Sequence, residues 1–151
     1  MKAEKPQLQV IGRREMVAFS EWGLVNIHAK IDTGAYGCAI HCHDFEVVNE
    51  GDRELLRFRL LDPSHPEYED RDYYATEFRD KKVKSSSGQW EHRYTIKTTV
   101  KIGRNEYKVE FSLTDRSEMK YPVLLGRKFL KRRFVVDVSK IYLIRTKETP
   151  I

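Results

Sequence analysis

Ala29-Lys30-Ile31-Asp32-Thr33-Gly34-Ala35 sets one carboxylate at the end of an apolar-alternating run, then a hydroxyl, then a residue with no side chain. Upstream, Val25, Ile27, Ala29 and Ile31 alternate with Asn26, His28 and Lys30, the period-two pattern of a strand with one wet face. That strand delivers Asp32 to a loop, where Gly34 lets backbone N–H groups approach the carboxylate closely. An Asp-Thr-Gly triplet also reads as an ordinary turn, so its meaning depends on the rest of the chain.

Working outward, the chain is rich in short extended segments. Leu8–Ile11 and Met16–Phe19 read as strands around the charged turn Gly12-Arg13-Arg14. Cys38–Val48 and Leu55–Leu61 again favour extended backbone. Trp90–Leu113 is a hairpin, its alternating halves meeting at Gly103-Arg104-Asn105. Pro122-Val123-Leu124-Leu125-Gly126 is continuously apolar, the pattern of a strand covered on both faces. A two-turn helix is expected over Arg127–Arg133, followed by strands over Phe134–Val138 and Ile141–Ile144. The charged segment from Asp62 to Gly88 reads as a partly mobile excursion from the core. The fold class expected is therefore all-β, a barrel or sandwich with one or two short helices.

At 151 residues, 40% hydrophobic and 34% charged, residues 1–151 are expected to form a single domain with a core that needs neither metal nor disulfide. A net charge of +5 suits acidic partners. Cys38 and Cys42 stand four residues apart, roughly 13 Å along a strand, too far for a disulfide and consistent with free thiols in a reducing compartment. Met1-Lys2-Ala3-Glu4-Lys5-Pro6 leads into no apolar signal segment, and no run approaches the ~18 apolar residues of a membrane span. The expected location is cytoplasmic, with no membrane partner.

Ile31-Asp32-Thr33-Gly34-Ala35 followed far downstream by Leu124-Leu125-Gly126-Arg127 and a short helix resembles the retroviral-type aspartic peptidases. Nearly the whole chain is similar to a bacterial and archaeal family labelled ATP-dependent zinc proteases and now viewed as retropepsin-like. The similarity runs through Ile11-Gly12-Arg13-Arg14-Glu15, the Asp32 loop, Lys82-Val83-Lys84-Ser85-Ser86-Ser87-Gly88, Leu113-Thr114-Asp115-Arg116 and Leu124-Leu125-Gly126-Arg127. The resemblance implies a closed acid-protease barrel with one short helix near the C-terminus and a flap at about residues 63–92. It makes Asp32 the catalytic residue, with Thr33, Gly34, Ala35, Leu125, Gly126 and Arg127 supporting the loop. Ser85, Ser86, Ser87 and Gly88 become flap and substrate candidates. Some members resemble partners of an ATP-grasp ligase that adds glutamates to a ribosomal protein. A glutamate ligase, and an acidic, oligo-glutamate or glutamylated protein substrate, are implied partners.

Aspartyl chemistry needs two carboxylates sharing one proton, since two like charges about 3 Å apart cannot both ionise. The chain holds one Asp-Thr-Gly, so the second Asp32 must come from another copy in a homodimer. Two departures from the family pattern bear on the site. Tyr36 stands where an acidic residue commonly pairs with Arg127, leaving Asp115, Asp137 or a carboxylate of a second chain as candidates for that arginine. Gly37-Cys38 replaces the usual Thr-Ser.

The family label also suggests zinc and ATP, and the residues support neither as a cofactor. Cys38, His41, Cys42 and His43 are ligand types, but on a strand 38 and 42 face one side while 41 and 43 face the other. Half-buried cysteines with surface histidines are the expectation, His28, His65 and His92 being solitary. Ser85-Ser86-Ser87-Gly88 lacks the lysine of a phosphate loop. The basic cluster Arg127, Lys128, Lys131, Arg132, Arg133 carries no nucleic-acid motif, so nucleic acid is not the expected partner. Three readings follow: an aspartic endopeptidase, a non-catalytic module of the same fold gripping acidic peptides or a protein, and a zinc-dependent protease.

Overall fold

The structure, a computed structural model, describes residues 8–84, 87–115 and 120–144. Its core element is strand β3 (Leu24–Ile31), whose buried residues Leu24, Ile27, Ala29 and Ile31 show the expected alternation with one slip. The slip sits at Asn26, which takes a left-handed φ of 56°. That conformation inserts a bulge opposite β2 (Arg14–Phe19), where the pairing register shifts between Val17 and Phe19.

Around β3 the sheet closes on itself. β10 (Val123–Leu125) pairs parallel with β3 and antiparallel with β4 (Cys38–Glu50). β2 continues the circuit to β8 (Trp90–Ile102), then β9 (Asn105–Thr114), which returns to β4. The result is a closed barrel of β10-β3-β2-β8-β9-β4. The apolar run at Val123–Leu125 is hydrogen-bonded on both edges, and Val123 and Leu125 are fully buried. Closure removes the open edge that such a run would otherwise present. The long hairpin β8–β9 turns at Gly103 with φ 64°, the position that a two-residue turn reserves for glycine.

Outside the barrel, β5 (Arg53–Leu60) and β6 (Tyr73–Ala75) extend the sheet from β4, while β7 (Arg79–Lys84) pairs with β8 as a hairpin. β1 (Gln9–Gly12) and β11 (Phe134–Asp137) form a separate parallel pair. Phe19, Trp22, Phe58, Phe111 and Tyr73 pack edge and face inside the core, with centroids 5.2–6.0 Å apart. Among the described residues no helix is long and apolar enough to cross a membrane.

Three expectations change. The helix is a single turn, α1 (Arg127–Leu130), because Lys131 leaves helical geometry at ψ 127° and Arg132 takes φ 67°. A 3-10 turn over Ser20–Trp22 joins β2 to β3.

The segment Ile141–Ile144 is not a strand. Tyr142 sits at φ 53°, and the N–H groups of Leu143 and Ile144 donate to the buried Glu15 carboxylate, each at 3.0 Å. A side chain has taken the place of a neighbouring strand's carbonyls.

The first part of the excursion is held rather than loose. Arg57 pairs with Asp44, Glu46 and Asp72 at 3.0–3.1 Å, and Arg59 binds Asp72 at 2.9 Å. Arg71 lies over the Tyr73 ring and donates to the Trp22 carbonyl. The projecting part is the β7–β8 hairpin. Ser85 and Ser86, and Arg116 of the Leu113–Arg116 motif, lie outside the described residues; Ser87 and Gly88 are exposed at its turn.

Candidate active site

The Asp32 loop is built by β3 and β10 together. Ile31 pairs with Leu125, and the next residue, Asp32, donates its N–H to the Leu125 carbonyl at 2.9 Å. The Asp32 carboxylate accepts the Gly34 N–H at 2.9 Å, and Ala35 N–H closes the turn on the Asp32 carbonyl at 3.3 Å. A β-carbon at Gly34 would stand 3.3 Å from that same carboxylate oxygen. The carboxylate is thus held by a backbone dipole while still half-exposed.

Beneath the loop runs Gly126. A β-carbon there would stand 2.2 Å from the Gly37 carbonyl oxygen and 2.8 Å from those of Ala35 and Tyr36. Its absence lets the start of α1 close on the loop. Arg127 N–H donates to the Ala35 carbonyl and Lys128 N–H to that of Tyr36, both at 2.8 Å. These are first-turn N–H groups that a helix cannot satisfy internally, so the loop serves as the cap of α1.

Arg127 completes the brace. It donates to the Thr33 carbonyl at 3.2 Å, and its guanidinium carbon lies 5.9 Å from the Tyr36 ring centroid. Tyr36 therefore occupies the acidic residue's place with an aromatic face. Asp115 instead approaches His41 at 3.7 Å, and Asp137 accepts from the Ser139 hydroxyl at 2.6 Å. Neither candidate carboxylate meets Arg127 in the described contacts.

A family model for the retropepsin-like aspartic endopeptidase RimB matches residues 10–148. The chain belongs to the RimB-like family. Two curated relatives are both named probable alpha-L-glutamate ligase. The one from Shewanella pealeana is 31% identical over 142 residues, 91% of this chain and 30% of its own length. That from Desulfotalea psychrophila is 31% identical over 133 residues, 85% of this chain and 28% of its own. The chain thus spans under a third of those relatives. A crystal structure of a Legionella pneumophila protein of unknown function shares the fold, with a TM-score of 0.70 and 24% identity, covering 91% of this chain and 98% of that one.

In this RimB-like chain the cysteine and histidine cluster does not converge on one point. Cys42 is fully buried and donates to the Asp44 carbonyl at 3.2 Å. Burial pushes its thiol up to about 12. Cys38 is buried too, and burial also raises its pKa. His41 is buried at 3% exposure, against the expectation of a surface histidine, with Nε2 2.7 Å from Asp62. His41 lies before the bulge between Cys42 and Asp44 and is buried on the face where Asp62 and Asp115 approach it, at 2.7 and 3.7 Å. His43 is exposed and bonds the Leu61 carbonyl at 2.7 Å. Among the described residues no three such side chains gather as ligands. These residues do not fit the zinc that the family label suggests.

Motif reading did not single out the groove beside the loop. Tyr36, Gly37 and Cys38 line a cleft of about 840 Å³ together with Arg79, Lys81 and Arg93 of the β7–β8 hairpin and Lys128 of α1. The available signal was cross-strand: Lys81 pairs with Arg93 and Arg79 with Thr95, placing three cations on one face of the hairpin.

Proposed function

We propose that the chain is an aspartic endopeptidase that works as a homodimer, with one Asp32 from each copy forming the proton-sharing pair. The observation that carries this reading is the Asp32 carboxylate, held by the Gly34 N–H and left half-exposed on a loop braced by Gly126 and Arg127. One carboxylate of the pair, ionised, would activate water; the other, protonated, would donate to the peptide carbonyl. The exposed apolar residues Val10 and Val135, paired side by side on β1–β11, offer a surface for the second copy.

The substrate we propose is an acidic peptide, with an oligo-glutamate extension on a protein as its natural form. Support comes from the cations beside the loop and from the glutamate ligase names carried by the relatives. Association with an ATP-grasp glutamate ligase in the cytoplasm belongs to the same proposal. The decisive experiment is cleavage of a glutamate-extended peptide by wild type and Asp32→Asn, with mass measured in solution. Loss of cleavage with unchanged melting and a dimeric mass is expected; full activity in Asp32→Asn would remove the dyad.

A second reading has its own observation. The matched segment is a minor part of each glutamate ligase relative, as a non-catalytic module presenting acidic chains to a ligase would be. Binding of the peptide without any cleavage by wild-type dimer would favour it.

A further inference from the structure

The cationic groove at the Asp32 loop does not end there. Lys128 lines the cleft facing Tyr36 and Gly37, and it also lines a second groove, of about 800 Å³, with the residues that follow α1. That second groove holds Lys128, Lys131, Arg132 and Arg133 with Gln9 and Asn105, and among the described residues no carboxylate lines it. A smaller cleft between them joins Lys108 to Lys128 and Arg133. Among the described residues no carboxylate pairs with Lys128, Lys131 or Arg132. The acidic residues near the loop end are Glu77, Asp80 and Glu110; Glu110 approaches Arg79 at 3.7 Å, and Asp80 holds His92 at 2.7 Å.

Two local features keep these cations turned outward. Arg132 takes φ 67°, a left-handed conformation that an arginine rarely adopts, and it ends α1 after one turn. Arg133 donates to the Phe129 carbonyl at 3.1 Å and lies over the Tyr107 ring at 5.2 Å. A guanidinium fixed in this way loses little freedom when a carboxylate binds it.

We infer that Lys128, Lys131, Arg132 and Arg133 form a track, continuous with the cleft at Tyr36 and Gly37 beside the Asp32 loop, that holds a carboxylate-rich stretch of peptide away from the bond being cut. This extends the acidic-peptide reading and rests on it for the direction of the chain. A peptide fits the track better than single-stranded nucleic acid, because base stacking needs a free aromatic face. Tyr107, the aromatic residue of the far groove, is already covered by Arg133, Phe129 and Phe134. The track makes length matter: a short acidic peptide reaches the loop, and a longer one also reaches Lys131 and Arg132.

The test separates binding from cleavage by using Asp32→Asn protein throughout. A fluorescent oligo-glutamate peptide of about ten residues, roughly 33 Å when extended, is titrated by anisotropy. The comparison protein carries Lys131→Glu and Arg132→Glu in addition, with Lys131→Gln and Arg132→Gln as a milder pair should charge reversal impair folding. On the order of ten-fold weaker binding is expected for reversal, a smaller loss for the glutamine pair, and weakening with added salt. An oligo-glutamine peptide of the same length should bind more weakly than the glutamate peptide. Equal affinity in all proteins, equal binding of the glutamine peptide, or displacement by a single-stranded RNA that binds more tightly would overturn the track. Because this binding does not involve cleavage, an inactive wild type would remove the peptidase reading and leave the track standing.

Discussion

Gly126 and Gly37 meet without room for a methyl group: a β-carbon on the first would stand 2.2 Å from the carbonyl oxygen of the second. The oxygen belongs to backbone, and the neighbouring Ala35 and Tyr36 carbonyls are held by the first N–H groups of α1. Gly126→Ala is therefore expected to cost about 3 kcal/mol. In a chain of this size that lowers the melting temperature by roughly 6–12 °C. Calorimetry of the purified variant checks it; an unchanged melting temperature would show that the loop can move aside.

Glu15 is fully buried and accepts N–H groups from Gly12 at 2.7 Å and from Leu143 and Ile144 at 3.0 Å. It joins the β1–β2 turn to the segment after β11. Glu15→Ala leaves three donors without an acceptor, a loss of about 3 kcal/mol or more. Amide exchange at Leu143 and Ile144 should accelerate well beyond the global change. Exchange that merely follows global stability would contradict the local tie.

Cys42 should be inert in the native protein. Its thiol is fully buried and raised to about 12, so almost none is thiolate near neutral pH. A maleimide or disulfide reagent is expected to modify it at the rate of unfolding, with a sharp rise once denaturant is added. Rapid labelling in buffer would show an opening that the closed barrel does not allow.

Acid should weaken the fold through two histidines before the carboxylates titrate. Burial lowers the pKa of both His28 and His65 below the ordinary 6.5. Their geometry agrees: His65 Nδ1 accepts the Glu67 N–H at 3.0 Å, which only an unprotonated Nδ1 can do, and His28 Nδ1 meets the Tyr142 hydroxyl at 2.8 Å. The unfolded chain binds these protons first, so this stability is present above 6.5 and is lost as pH falls toward the lower folded values. Urea midpoints should drop between about pH 7 and pH 5. His65→Ala should flatten part of that slope, and an unchanged slope in the variant would assign it elsewhere.

At still lower pH, Asp62 and Asp137 should contribute further loss. Hydrogen bonds from Ser64 and Ser139 respectively hold their pKa values below the ordinary 3.8. Their stabilisation is present above 3.8 and disappears as pH falls through the folded values. The two steps are separable by measuring the urea midpoint across the acid range in His65→Ala and in Asp62→Asn.

By itself the amino-acid sequence determined the alternation of β3, the strand buried on both edges at Val123–Leu125 and the hairpin turning at Gly103. These are local: period two, a turn glycine and a continuous apolar run each state their structure within a few residues. Tertiary structure decided what depends on residues far apart in the chain. Glu15 turned an expected last strand into a capped loop, and Arg57 and Arg59 held down a segment whose charges read as mobile. Asp62 drew His41 under cover, and Arg127 came to lie over the Tyr36 ring. The basic cluster at Lys128, Lys131, Arg132 and Arg133 lies in one short run legible in the sequence, but its place beside the loop is not. Lys128 also lines the cleft at Tyr36 and Gly37, and the cations across that cleft, Arg79, Lys81 and Arg93, come from the β7–β8 hairpin, far away in the chain.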